Sequence, residues 1–206
     1  MIFESFPVGP FQCNCMIFGC ETTQAAIVVD PGDEAEVILT AISRHPIKVL
    51  YLLHTHAHLD HIGATHDVRQ QTGAASGLHE DDMPLCEALA VQAELFGLDA
   101  PPVPIIDRFL KDGDVLSFGR YTVDVLHTPG HTPGSLSFHI PSVGLLTGDT
   151  LFAGNVGRTD LWGGSHPTLL RSIHARLLSF PEETCVYPGH GSKTTIGREK
   201  RHNPYL

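Results

Sequence analysis

Between residues 56 and 61 the chain reads His56-Ala57-His58-Leu59-Asp60-His61, four metal-ligand side chains in six positions. The run follows Ile47 to Leu53, a short apolar stretch that reads as a buried strand. In an extended segment His56 and His58, two apart, point the same way. Asp60 and His61 then stand where a helix can begin, and a first helical turn accommodates aspartate well. One segment can thus present ligands to two adjacent metal ions. Buried polar groups without partners are destabilising, so four of them at the end of a buried strand point to ligation rather than to core packing.

Histidine is the commonest metal ligand among side chains, and the chain holds 14, more than its 13 lysines and arginines together. Position separates them. His131 lies in His127-Thr128-Pro129-Gly130-His131-Thr132-Pro133-Gly134, a turn after an expected strand. Asp149 lies in Leu145-Leu146-Thr147-Gly148-Asp149-Thr150, and His190 in Tyr187-Pro188-Gly189-His190-Gly191. Each is a ligand type at a strand end beside glycine, where backbone can approach closely. With the first run they make seven candidate ligands. His54 and His127 neighbour ligands and read as groups that orient them. His45, His66, His79, His139, His166, His174 and His202 read as surface or structural. Asp30, ending a strand, reads as a structural partner of the site.

Strands are expected at 13–18, 25–29, 47–53, 114–118, 121–126, 135–140, 143–147 and 184–187. A helix should follow Asp33, with Asp33 as N-cap and Glu36 completing a capping box. Further helices are expected over 60–71, over 81–96 with Gly97 closing it, and over 167–178 with Ser165 as cap. This is an α+β pattern: two sheets covered by helices, in one domain spanning residues 1–206. A hydrophobic content of 42% with 17% charged residues suits a compact core.

A net charge of −10 argues against gripping nucleic acid. Lys193, Arg198, Lys200 and Arg201 crowd the last 14 positions, as a local anion site or a solvated tail. Five cysteines without a C-x-x-C argue against a disulfide framework and for a reducing cytoplasm. Cys13 and Cys15 fit buried strand positions better than a soft-metal site. No signal peptide and no membrane-length apolar run is expected.

The runs T-H-A-H-L-D-H, T-P-G-H-T-P-G-S, L-T-G-D-T-L-F and Y-P-G-H-G resemble the metallo-β-lactamase superfamily. Their order and spacing are most similar to its glyoxalase II (hydroxyacylglutathione hydrolase) branch, in a compact form without the C-terminal helical domain. The resemblance implies an αββα sandwich with the site at one edge of the two sheets. It implies that His56, His58 and His131 hold one metal, that Asp60, His61 and His190 hold a second, and that Asp149 bridges them. Zinc is the first expectation, and iron or manganese also suits these ligands.

The implied reaction is hydrolysis of a small-molecule thioester such as S-lactoylglutathione by a hydroxide shared between the metals, with Asp60 orienting its proton. Arg158, in Gly157-Arg158, matches a basic glutathione-binding position. The aromatic residue the branch places two positions later is replaced by Asp160. Gly157-Arg158-Thr159-Asp160 also resembles the iron-dependent persulfide dioxygenases, the first alternative. A lactone or other acyl hydrolase of the same fold is the second. A metal-binding module without activity is the third, although no ligand position is missing.

Overall fold

All 206 residues are described by a computed structural model. The first sheet contains β1 (Ile2–Val8), β2 (Cys13–Gly19), β3 (Ala25–Val29), β4 (Lys48–Leu53), β5 (Ala75–Leu78) and β6 (Arg108–Phe109), in that spatial order. β1, β2 and β3 run antiparallel, and β3 to β6 run parallel. The second sheet comprises β7 (Val115–Phe118), β8 (Tyr121–His127), β9 (Leu136–Ile140) and β10 (Gly144–Gly148). After a small hairpin, β11 (Leu151–Phe152) and β12 (Asn155–Val156), it is completed by β13 (Cys185–Pro188) and β14 (Thr194–Thr195). Its order is β14-β13-β10-β9-β8-β7, with β10 and β13 parallel.

Side chains alternate across a strand, and the two faces of each sheet separate accordingly. Met16, Phe18, Ile27, Val29 and Leu53 face inward and meet Phe118, Val125, Phe138 and Leu146 of the second sheet in one buried cluster. Cys15, Ile17, Val28 and Leu52 face outward, against Ile38 and Ala41 of α1 (Ala35–Ser43) and against Val68. Leu145 and Val186 face outward from the second sheet, against Leu169, Ile173 and Leu177. The architecture is therefore the expected αββα sandwich. No helix is long and apolar enough to cross a membrane.

Several expected elements are corrected. The helix expected over 60–71 is two helices, α2 (Leu59–Ile62) and α3 (Thr65–Thr72). Ala64 N–H donates to the Pro31 carbonyl instead of back along its own helix, and a side chain on Gly63 would stand 2.6 Å from the Gly32 carbonyl oxygen. The helix expected over 81–96 divides at Ala88 into α4 (Met83–Glu87) and α5 (Leu89–Phe96), closed by Gly97 at φ 67°. At the break the Gln92 amide donates to the Leu85 carbonyl at 2.8 Å. The capping box of α1 is absent. Glu34 occupies the N-cap in a left-handed conformation, and its carboxylate accepts from Gly9 N–H at 2.7 Å.

The helix from residue 166 runs as α6 (His166–Ser172) and then widens into a π turn, Ile173–Leu177. The Ser165 hydroxyl donates to the Thr168 hydroxyl rather than capping a backbone N–H. The basic tail is ordered: Arg198, Lys200 and Arg201 lie on α7 (Ile196–His202), whose Glu199 is 1% exposed. Glu199 accepts from Gly154 N–H, the Thr194 hydroxyl and the Asn203 amide, at 2.8, 2.6 and 2.9 Å.

Candidate metal centre

The seven candidate ligands leave the C-terminal ends of four strands. His56 and His58 follow β4, and Asp60 and His61 open α2. His131 follows β8, Asp149 follows β10 and His190 follows β13. They converge at one edge of the sandwich. His131 Nε2 lies 3.2 Å from His56 Nε2 and 2.9 Å from His58 Nδ1. His190 Nε2 lies 3.2 Å from His61 Nε2 and 3.1 Å from Asp60 Oδ2. Asp149 stands between the groups, with Oδ2 3.7 Å from His131 and Oδ1 3.4 Å from His61.

The outer ring nitrogens show which proton state each imidazole holds. His61 Nδ1 is 3.0 Å from the Asp30 carboxylate. His131 Nδ1 is 2.7 Å from the Arg158 carbonyl, and His190 Nδ1 is 3.1 Å from the Phe11 carbonyl. Oxygen acceptors require the proton on Nδ1, so in the neutral ring that would bind a metal the free lone pair lies on Nε2. These lone pairs face one another and face carboxylate oxygens. Such an arrangement is repulsive without a cation between the atoms, and Asp149 Oδ1 is buried with no hydrogen-bond donor of its own. The residues therefore fit divalent metal, with outer partners that set tautomer and ring orientation.

Electrostatics agree. Burial drives the His56 imidazole far below the usual histidine range, and burial with the neighbouring His131 lowers His58 to about 3, so both stay neutral lone-pair donors. Burial alone would raise the Asp149 and Asp60 carboxyls. Without a metal ion protons supply the compensating charge: neighbouring acidic groups raise His61 and His190 against the effect of burial, and these imidazoles hold both carboxyls below the usual carboxylate range, a role that a bound divalent cation would take over. Cys13, on β2, has its sulfur 3.5 Å from His61 Nδ1, and burial pushes its thiol up to about 12. It is a neutral buried strand cysteine, as its sequence position suggested.

Two side chains with no motif around them hold the ligand-bearing backbone. The buried Asp82 carboxylate accepts from Ala57 N–H at 3.0 Å, from the Thr132 hydroxyl at 2.8 Å and from Gly134 N–H at 2.6 Å. It thereby joins the segment of His56 and His58 to the loop of His131. Gln92 accepts from Leu59 N–H at 2.9 Å and donates to the Ala57 carbonyl at 3.2 Å. No spacing in the sequence singles out either residue, because both act from another element.

The two histidines expected to orient ligands act on backbone instead. His54 donates through Nδ1 to the Gly77 carbonyl at 2.9 Å and accepts from the Thr65 hydroxyl at 2.7 Å. His127 donates to the Pro133 carbonyl at 2.9 Å and stacks on His79 with ring centroids 4.2 Å apart. Arg158 reaches the site through its carbonyl, while its guanidinium makes a bidentate pair with Asp160 at 2.7 and 2.8 Å. Above the ligands opens a cavity of about 320 Å³, which Arg158 and Trp162 help to line.

The sequence profile of the Metallo-beta-lactamase superfamily matches residues 8–190. The chain belongs to that superfamily. This metallo-β-lactamase-fold chain is 42% identical, over all its length and 98% of the relative's, to hydroxyacylglutathione hydrolase GloC of Haemophilus influenzae. The crystal structure of the BLEG-1 B3 metallo-β-lactamase superposes with a TM-score of 0.92 at 40% identity, covering 100% of this chain and 99% of that one. TTHA1623, solved in a di-iron-bound form, superposes at 0.88 with 40% identity, covering 98% and 100%. The His and Asp clusters are those of a two-metal site of the metallo-β-lactamase type.

Proposed function

We propose that this metallo-hydrolase cleaves thioesters in the manner of glyoxalase II, with S-lactoylglutathione as the reference substrate. The observation that carries this reading is the pair of donor groups sharing Asp149 at the floor of one open cavity. The 42% identity to a hydroxyacylglutathione hydrolase over the whole chain supports the substrate class.

In this reading His56, His58 and His131 hold one divalent ion, Asp60, His61 and His190 hold the other, and Asp149 serves both. Zinc is the first candidate. Iron has weight from the di-iron relative, and manganese suits the same donors. When bound, the pair of ions supplies an activated water near neutral pH and polarises a carbonyl oxygen.

The chain's own residues do the positioning. Asp60, at the cavity floor and held ionised, orients the proton of the attacking water toward its free oxygen. Water adds to the thioester carbon and the carbon–sulfur bond breaks. The products are a carboxylate, a thiol and one proton. A thiolate leaves readily, so the site needs no strong general acid, and no G-x-S-x-G serine is present. In this reading Arg158, which lines the cavity with its guanidinium paired to Asp160, is a substrate contact. Five unpaired cysteines suit a reducing compartment such as the cytoplasm.

The test is Asp60→Asn. Turnover of S-lactoylglutathione should fall by at least a hundredfold, with metal content reduced in the same preparation. Unchanged turnover contradicts the role of Asp60. Oxygen uptake with glutathione persulfide, in place of thioester cleavage, overturns the hydrolytic reading in favour of a dioxygenase.

A further inference from the structure

The walls of the cavity differ sharply from its floor. Phe11 comes from the β1–β2 turn, Leu85 from α4, Leu95 and Phe96 from α5, and Leu161 and Trp162 from the loop after β12. Four of these are large apolar side chains left open to water, Leu95 at 75% and Trp162 at 60% exposure, with Phe96 and Phe11 less so. Phe11 and Phe96 pack edge to face, with centroids 5.0 Å apart, and so join the β1–β2 turn to α5 on one side of the cavity. Scattered exposed apolar residues are ordinary, but several that line one cavity over a polar floor mark a ligand groove.

The charge pattern points the same way. Arg158 is the one lysine or arginine among the residues lining the cavity. Its Nε and Nη2 are already held by the two oxygens of Asp160. A substrate carboxylate that takes the free Nη1 edge meets a guanidinium whose charge Asp160 already balances, and one that takes the Nε–Nη2 fork must displace Asp160 and leave that charge beside it. A glutathione thioester brings two carboxylates and finds no other cationic side chain on these walls.

We infer that this site prefers uncharged thioesters carrying an aliphatic or aromatic group, and that Asp160 is the specificity-determining residue that discriminates against carboxylate-bearing thiols. The inference rests on the thioesterase reading above and ranks substrates within it. S-lactoylglutathione is then a substrate, but an inferior one. Each methylene buried against the cavity walls is worth about 0.8 kcal/mol, or about fourfold in kcat/KM.

The experiment compares metal-loaded protein on S-acetyl-, S-butyryl- and S-hexanoyl-N-acetylcysteamine and on S-lactoylglutathione. In parallel, S-hexyl-N-acetylcysteamine and S-hexylglutathione, which cannot be hydrolysed, are titrated against the fluorescence of Trp162, the chain's only tryptophan. The expected kcat/KM rises at least tenfold from acetyl to hexanoyl, and hexanoyl exceeds S-lactoylglutathione. S-hexyl-N-acetylcysteamine should bind at least tenfold more tightly than S-hexylglutathione, and Asp160→Asn should narrow that gap by strengthening the glutathione ligand.

Efficient cleavage of S-lactoylglutathione with no chain-length dependence, and equal or tighter binding of S-hexylglutathione, overturns the inference while leaving the thioesterase reading intact. Tight binding of the uncharged ligand without cleavage of any thioester does the reverse: the apolar pocket stands and the thioesterase reading fails.

Discussion

The Asp30 carboxylate lies 3.0 Å from Nδ1 of His61, and the same carboxylate accepts from both the backbone N–H and the hydroxyl of Thr55 at 2.7 Å. One buried acid at the end of β3 therefore fixes the ring of one candidate ligand and the backbone that precedes another.

Asp30→Asn separates these two tasks. Asp30 has φ 51°, a conformation asparagine also tolerates. Its amide oxygen, in place of Oδ1, can still accept from Thr55 N–H, but its NH₂, in place of Oδ2, then faces the His61 Nδ1–H donor and the Thr55 hydroxyl, which can turn to accept. Loss of such an outer partner typically weakens metal binding about 10–100-fold. Competition with a chromophoric chelator should show that loss in one of two binding steps, with the thermal unfolding of the metal-free protein little altered. Equal affinities at both steps in the variant and the natural protein remove Asp30 from this role.

Gly189 sits against the site so tightly that an added Cβ would stand 2.5 Å from Asp149 Oδ1 and 2.6 Å from His61 Cε1. Gly189→Ala should displace those two side chains while leaving both sheets paired. Turnover should drop by two orders of magnitude or more, with a far-ultraviolet circular dichroism spectrum like that of the natural protein. A variant that turns over normally shows that the two side chains need not lie where they do.

Buried Glu199 accepts three hydrogen bonds, and the one from Gly154 N–H ties α7 to the turn between β11 and β12. Glu199→Ala leaves those donors unsatisfied and should cost about 3 kcal/mol of stability, measurable by urea denaturation. Hydrogen exchange at the Gly154 amide should accelerate in the same variant. An unchanged exchange rate at Gly154 contradicts the anchoring role.

His54 gives a pH dependence of defined sign. Burial lowers its pKa in the fold, where Nδ1–H already donates to Gly77 and Nε2 accepts from Thr65. The unfolded chain takes up a proton near pH 6.5 while folded His54 resists it. Its stabilising contribution is therefore complete above about pH 6.5 and falls as pH drops toward the lower folded value, at up to ~1.4 kcal/mol per pH unit. At saturating metal, the difference in urea stability between the natural protein and His54→Gln should shrink as pH is lowered from 7.5 to 5.5. A difference that is flat across that range contradicts the assignment.

The positions of most strands were legible because they depend on local pattern, and the seven side chains were legible through the motifs that carry the family resemblance. β3 begins and ends where Ala25–Val29 suggests, and β4 delivers His56 and His58 from an apolar run visible without tertiary knowledge. What escaped the sequence depends on contacts from elsewhere. β1 alternates Ile2, Glu4 and Phe6 against Phe3, Ser5 and Pro7 too weakly to stand alone, and it forms by pairing seven residues with β2. The break between α2 and α3 arises where Pro31 takes a hydrogen bond from Ala64. Asp82 follows two other acidic residues and looks like a helix-start charge. Only the fold brings it to Ala57, Thr132 and Gly134. Likewise Glu199 is one charge in a basic tail until β14 and Gly154 close around it. Asp160 was visible as a departure from the family pattern, but its bidentate hold on Arg158 required the structure.

The most direct test of the two-metal thioesterase account measures metal content and reaction products on one sample of purified protein. The account requires two equivalents of divalent metal per chain, steady release of lactate and glutathione from S-lactoylglutathione, and loss of that activity on chelation. One iron per chain, with oxygen consumed in the presence of glutathione persulfide and no thioester cleaved, would contradict it.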